Sequence, residues 1–159
     1  DPGTTAPTRV PASAPTATPT NTAVVVPSPT PDFAPLLRNF RVAQKAAYLT
    51  LSEEVMAQIP VFATGEALEL VRAEVNRLRT LGLAARLDVS SLEVVTTYLD
   101  GLAVATRERH ARELIDGGKT VCREVTDYEF AYGLASEDGR WKVEKVRELS
   151  RTPIEDTCE

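Results

Sequence analysis

The sequence predicts an α+β fold in which two to three N-terminal helices pack on one face of a curved antiparallel sheet of four to five strands. Three observations predict it. Apolar residues recur at helical spacing before Gly82, the period changes to two after that glycine, and glycine-containing turns divide the second part of the chain. Helices followed by a run of strands are typical of this class.

The N-terminal segment differs in composition from the rest of the 159-residue chain. Nine of the eleven prolines lie at or before Pro35, among many threonines and few charges. We therefore predict a disordered Pro/Thr-rich stalk or linker over residues 1–32 and a single domain over residues 33–159. Stalks of this composition commonly hold a domain away from a membrane, and a cytoplasmic linker is the alternative. Because the chain starts without methionine and has no membrane-spanning run, we expect a membrane tether upstream of residue 1.

Two helices and a short helical turn are predicted before Gly82. Apolar residues at spacings of three and four predict the first helix over residues 33–51. Ser52 is a candidate cap for a short turn before Pro60, and Thr64 is a candidate cap for the second helix. Gly82 stands where a left-handed C-terminal cap is expected.

The remainder of the chain alternates with the period of a strand. We predict strands over residues 84–88, 92–99, 102–113, 122–134 and 141–146, separated by turns at Asp100-Gly101, Gly117-Gly118 and Asp138-Gly139. Trp141, just after the last turn, is interpreted as an anchor of the core.

Charge and composition exclude several classes of function. The net charge is −5 with both signs interspersed, so the basic surface expected of a nucleic-acid-binding protein is missing. Two cysteines and one histidine give no zinc-ligand spacing, and Gly117-Gly118 lacks the context of a phosphate-binding loop. We predict no metal, no cofactor and no nucleic-acid partner.

The two cysteines, Cys122 and Cys158, allow two interpretations. They are either two unpaired thiols or one disulfide that ties the C-terminal tail to the sheet, which an oxidising compartment would permit.

The helix pair followed by a meander that closes on a Gly-x-Trp-x-Val strand resembles the nuclear-transport-factor-2-like fold, a cone of helices against a bent sheet. The segments that carry this likeness are 61–68, Val75, Leu78, Gly82, Tyr128-Glu129-Phe130 and 139–143. They are similar to the intermembrane-space domain of the chloroplast-division proteins of the plastid inner envelope and its bacterial extracytoplasmic relatives. The likeness covers roughly residues 40 to 149. It implies a non-catalytic domain that binds a protein or ligand at a membrane surface, and it carries over no catalytic residue.

Candidate site residues are aromatic and basic. Tyr128, Phe130 and Tyr132 share one face of a strand, and with Tyr98 they are candidate ligand-binding residues at the mouth of a conical pocket, core packing being the alternative. Three arginines of the predicted strand 102–113 are candidate contacts to an acidic partner: Arg107, Arg109 and Arg112. His110 lies in the same segment, which we interpret as charged on both faces and therefore mostly solvated.

The sequence thus predicts a non-catalytic extracytoplasmic binding module, monomeric rather than dimeric, whose partner is an unidentified peptide, protein or small apolar ligand. The alternative is a small cone-fold enzyme with isomerase-like or dehydratase-like acid–base chemistry in its pocket. A buried His110 or Asp127 that faces a cavity would favour the enzyme. A filled core with an exposed His110 would favour the module.

Overall fold

The computed structural model describes residues 3, 11–17, 31–98 and 102–158. The helices are α1 (Ala34–Thr50), α2 (Glu53–Met56) and α3 (Gly65–Leu81), with a single 3-10 turn at Ile59–Val61. The strands are β1 (Ala84–Tyr98), β2 (Ala103–Asp116), β3 (Lys119–Glu137) and β4 (Arg140–Asp156). They form one antiparallel sheet in chain order, β1-β2-β3-β4. The predicted α+β class, with helices packed on a curved sheet, is confirmed, and the described strands number four.

Two predictions lie wholly or partly outside the described residues. The turn at Asp100-Gly101 is one, and the stalk over residues 1–32 is the other. The division into a stalk and a domain over residues 33–159 therefore stays a prediction. Within the described ranges, no helix combines the length and the apolar character needed to cross a bilayer.

The helix ends follow the predicted signals with one exception. The Ser52 hydroxyl accepts a hydrogen bond from the Val55 amide at 3.2 Å and caps α2. Gly82 ends α3 in the left-handed conformation, with φ of 68°. Thr64 precedes α3, but its side chain makes no cap hydrogen bond. Its backbone amide instead donates to the carbonyl of Val143 at 2.8 Å, which ties the start of α3 to β4.

The first strand is longer than predicted. Residues 84–88 and 92–99 were expected as two strands, whereas β1 is one strand from Ala84 to Tyr98. Its pairing with β2 shifts register between Val89 and Ser91, so Ser90 is the extra residue of a β-bulge. The strand can continue through the serines that interrupt the alternating pattern, because a bulged residue needs no partner across the ladder.

The core lies between the helices and the inner face of the sheet. Fully buried side chains come from every layer: Leu37 and Phe40 of α1, Val71, Val75 and Leu78 of α3, and Val104, Tyr132 and Val143 of the sheet. The sequence-based prediction that Trp141 anchors the core is wrong. Trp141 lies outside this core, since it is 36% exposed. Its ring meets Phe33 edge-on, with centroids 5.2 Å apart, at the margin of the domain.

Cys122 and Cys158 form a disulfide, with sulfurs 2.14 Å apart and Cα atoms 4.9 Å apart. Of the two interpretations that the sequence left open, the structure therefore supports the disulfide. Thr157 continues the attachment, because its amide donates to the carbonyl of Arg123 at 2.8 Å. The C-terminal tail is thus held against β3.

Candidate functional site

A cluster of polar side chains lies inside the domain, between α1 and the sheet. Strand β2 places Thr106, Glu108 and His110 on its inner face, because side chains two residues apart point the same way. All three are buried, and the side chain of Glu108 has no exposed surface. We call this set the interior polar cluster, and its members are Arg41, Gln44, Thr106, Glu108, His110 and Tyr132.

Glu108 is the centre of the cluster, and both its oxygens are engaged. Oε1 accepts hydrogen bonds from the Thr106 hydroxyl at 2.8 Å and from the Tyr132 hydroxyl. Oε2 accepts from Nε of Arg41 at 3.0 Å and lies 2.6 Å from Nε2 of His110. A carboxylate without solvent is tolerated only when it is paired and hydrogen-bonded in this way.

The network extends along α1 from Arg41. Nη1 of Arg41 donates to the Gln44 side-chain carbonyl at 2.7 Å, and Nε2 of Gln44 donates to the Tyr48 hydroxyl at 2.7 Å. The guanidinium carbon lies 4.7 Å from the centre of the Phe130 ring, at cation–π distance. Its other terminal nitrogen, Nη2, is buried and has no hydrogen-bond partner among the described residues.

The electrostatics of the cluster fix its protonation. Burial by itself would raise the pKa of Glu108, but hydrogen bonds from His110 and Tyr132 and the charge of Arg41 lower it to about 2. Burial also lowers the pKa of His110, and the charge of Arg41 lowers it further. At neutral pH the carboxylate is therefore ionised and the imidazole neutral. Nε2 of His110 then carries the proton that Glu108 accepts, and Nδ1 has a free lone pair.

This arrangement corrects the interpretation of the segment around His110. His110 is only 8% exposed, and its ring centre is 5.0 Å from that of Tyr128. The segment is charged on both faces, with Arg107 and Arg109 outward and Glu108 inward, but the inner face is buried and not solvated. A cavity of about 60 Å³ adjoins the histidine, and it is lined by Leu87, His110, Arg112, Glu124, Thr126 and Tyr128. It has room for a few water molecules only.

Comparison with solved structures identifies the fold. The intermembrane-space region of the chloroplast protein ARC6 matches with a TM-score of 0.62 and 16% sequence identity, covering 73% of this chain and 92% of that one. The chain has the fold of that intermembrane-space region. The resemblance predicted from the sequence is thereby confirmed at the level of the fold.

Other solved structures are similar to a lesser degree. A de novo designed β-sheet protein matches with a TM-score of 0.44 and 20% identity, over 79% of this chain and 91% of that one. Hexachlorocyclohexane dehydrochlorinase LinA-type3 from Novosphingobium barchaimii LL02 matches with a TM-score of 0.47 and 14% identity, over 76% and 88%. Likenesses of this degree say nothing about function. No protein-family model and no curated protein matches the sequence.

Within the cone, the structure brings three of the four predicted aromatic residues together. The rings of Tyr128 and Phe130 stack with centroids 4.9 Å apart, and Tyr132 is buried next to Phe130. Tyr98 is on the other face of the sheet. It pairs with Ala103, whereas the inward-facing residue of β2 at this point is the neighbouring Val104. Tyr98 is also 48% exposed. A ligand-binding role for the four residues stays a prediction.

The three predicted arginines do not form one surface. Arg107 pairs with Glu129 at 3.2 Å and Arg109 with Asp127 at 2.7 Å, both on the outer face of the sheet. Arg112 is turned towards the helices and forms an ion pair with Glu74 of α3. Asp127, which was considered with His110 as a catalytic residue, therefore lies on the outer face and is paired with Arg109.

The main members of the interior polar cluster, Glu108 and Arg41, were not predicted from the sequence. Arg41 and Gln44 interrupt the apolar face of α1 at helical spacing, but this local pattern does not identify Glu108 as the partner. In the described ranges, no group of three or more histidine, cysteine or acidic side chains is arranged to hold a metal ion.

Proposed function

We propose that this domain is a non-catalytic binding module that acts outside the cytoplasm and is held off a membrane by the N-terminal stalk. One observation carries the proposal: the Glu108 carboxylate accepts hydrogen bonds from four donors and has no exposed surface. A general acid or base must reach a substrate proton directly or through one water. Glu108 has no surface from which to do so, and its bonds hold α1 to the sheet. The partner is a peptide, a protein or a small molecule.

The disulfide supports the proposed location. Disulfides persist in oxidising compartments and are rare in the cytosol, so the Cys122–Cys158 bond favours an extracytoplasmic environment. The ARC6 region with the same fold is a domain of an intermembrane space, which agrees with this location. The Pro/Thr-rich composition of residues 1–32 supports a spacer between the domain and a membrane anchor.

A small acid–base enzyme is the second candidate, and the burial of His110 beside a cavity, which is the criterion given above for an enzyme, favours it. The imidazole is neutral, has a free Nδ1 lone pair, and adjoins the 60 Å³ cavity. Groups with a shifted pKa beside a cavity are over-represented in active sites. This candidate requires the cavity to open far enough for a substrate to reach the ring.

Diethyl pyrocarbonate, which acylates accessible neutral imidazole, distinguishes the two candidates. His110 is the single histidine of the chain, so the absorbance of the modified ring in untagged protein reports on this residue alone. For a binding module we expect native protein to react at least ~10-fold more slowly than urea-unfolded protein, because reaction requires local opening. A His110→Gln variant gives the background. Equal rates in native and unfolded protein would overturn the proposal in favour of the enzyme.

The compartment has a separate test. Protein recovered from its native host without reductant is unfolded and titrated for free thiols. The proposed location predicts none, because both cysteines are in the disulfide. Two free thiols would overturn the extracytoplasmic part of the proposal.

A further inference from the structure

A groove of about 400 Å³ lies between α1 and the bulged part of β1. Its lining consists of Arg38, Arg41, Val42 and Lys45 on the helix and residues 87–92 on the strand. This volume lies in the range of pockets that hold small organic ligands. The groove and the small cavity beside His110 are distinct, although Leu87 of β1 lines both.

The helical side of the groove is basic. Arg38, Arg41 and Lys45 follow each other at spacings of three and four, which places them on one side of α1. The one acidic side chain in the lining is Asp88, 3.4 Å from Nζ of Lys45 and well exposed. Arg38 forms no ion pair within residues 31–98 and 102–158. Because Glu108 balances Arg41 and Asp88 lies beside Lys45, the excess positive charge of the groove comes from Arg38.

Arg41 adds a donor that the protein itself does not use. Its Nε and Nη1 donate to Glu108 and Gln44, whereas Nη2 has no partner among the described residues. Its side chain is 7% exposed, so water does not solvate this nitrogen freely. An unpaired buried donor is costly, and Arg41 is one of the residues that line the groove.

The opposite wall is apolar with hydroxyl groups between. Leu87, Val89 and Leu92 of β1 line it, and Val42 of α1 is 64% exposed beside them. Ser90 and Ser91 at the bulge also line the groove. Ser90 has only a weak internal bond, to the carbonyl of Arg109 at 3.5 Å. Such a wall suits an apolar stem and the basic wall suits an anion.

We infer that this groove binds a small organic carboxylate with an apolar stem, the carboxylate facing Arg38, Arg41 and Lys45. The inference rests on the proposed binding role and names the class of ligand. Organic carboxylates are favoured over inorganic anions because four of the ten lining residues are apolar. Arginine is suited to the task, since its fixed fork of donors matches a carboxylate.

The test is an NMR titration of the full chain with octanoate, in which the backbone amide signals of Ser90 and Ser91 are monitored. We expect saturable shifts of these signals and much weaker binding of the uncharged analogue octanol. Arg38→Gln and Lys45→Gln should each weaken octanoate binding ~5- to 10-fold, the size of a lost charge-assisted hydrogen bond. Arg107→Gln, an exposed arginine on the outer face, is the matched control and should leave the affinity unchanged.

Arg41→Gln can prevent folding, so Val42→Asp serves as the second variant. Val42 is exposed, and an added carboxylate beside the basic wall should abolish octanoate binding while the protein stays folded. Equal binding of octanol, equal binding of inorganic phosphate, or unchanged affinity in both Arg38→Gln and Lys45→Gln would overturn the inference. Those results leave the binding module standing if His110 is still protected from diethyl pyrocarbonate. Rapid modification of His110 overturns the proposed function itself.

Discussion

His110 and Glu108 meet inside the cone, with Nε2 of the histidine 2.6 Å from Oε2 of the glutamate. A carboxylate at this distance usually raises the pKa of an imidazole. Here the pKa of His110 is lowered, first by burial and then by Arg41, whose Nε shares the same oxygen at 3.0 Å. The guanidinium takes the role of counter-ion, so the imidazole serves as a neutral hydrogen-bond donor. The pair is part of the frame that joins α1 to the sheet.

Glu108→Gln should destabilise the domain strongly. The substitution keeps the size of the side chain but removes the charge that compensates the buried Arg41, which costs about 3–5 kcal/mol in comparable pairs. Urea unfolding at neutral pH measures the loss. Glu129→Gln, in the exposed pair with Arg107, is the control and should cost at most ~1 kcal/mol. If the two variants lose the same free energy, the cluster does not carry the stability assigned to it.

Stability should fall in two steps as the pH is lowered. The pKa of His110 lies below its usual 6.5 in the folded state, so the unfolded chain takes up a proton first and stability declines as the pH drops through and below 6.5. The pKa of Glu108 is about 2 when folded and 4.5 in the ordinary case, so a second decline of roughly 3 kcal/mol follows below 4.5.

His110→Gln separates the two steps. Glutamine keeps a donor near Glu108 but does not titrate, so the decline between neutral pH and 4.5 should disappear while the decline below 4.5 remains. Urea midpoints at a series of pH values measure both. A wild-type protein whose stability is constant from neutral pH to 4.5 would show that His110 keeps its ordinary pKa on folding.

Much of the fold could be predicted because its signals are local. The turns at Gly117-Gly118 and Asp138-Gly139 are where the sequence places them, and all four residues have the positive φ that two-residue hairpin turns need. Helix α3 shows its buried stripe and its terminal Gly82 in the same way. The continuity of β1 through Ser90 could not be predicted, because two serines in an alternating run resemble a break and only pairing with β2 makes them a bulge.

The interior polar cluster could not be predicted for a different reason. Charged residues are rarely buried, so Glu108 and Arg41 are most simply interpreted as surface residues. They are 67 residues apart in the chain, and each is tolerated in the interior only because the other is there. No local pattern contains that information. Alternation along β2 alone would have placed Glu108 and His110 on one face, and it would not have said which face is inside.

The disulfide should stabilise the domain and the end of β4. Cys122 and Cys158 are 36 residues apart, and the loop-closure model gives about 3–4 kcal/mol for a loop of this length. The Cys122→Ser/Cys158→Ser double variant should lose about this amount in urea unfolding. The amide of Thr157, bonded to Arg123, should exchange with solvent faster in the variant. Unchanged stability and unchanged exchange at Thr157 would show that the bond adds nothing to the tail's attachment.

Trp141 should contribute less to stability than its size suggests. It is 36% exposed and meets Phe33 edge-on, whereas Phe40 is fully buried between α1 and the sheet. We expect Trp141→Ala to cost about 1–2 kcal/mol, mainly the aromatic pair and part of its apolar area. Phe40→Ala, as the comparison, should cost about 3–5 kcal/mol, because a cavity forms in a packed core. Urea unfolding of both variants decides the matter. A loss for Trp141→Ala as large as that for Phe40→Ala would show that the tryptophan contributes to stability as a core residue does, as its position after the last turn had predicted.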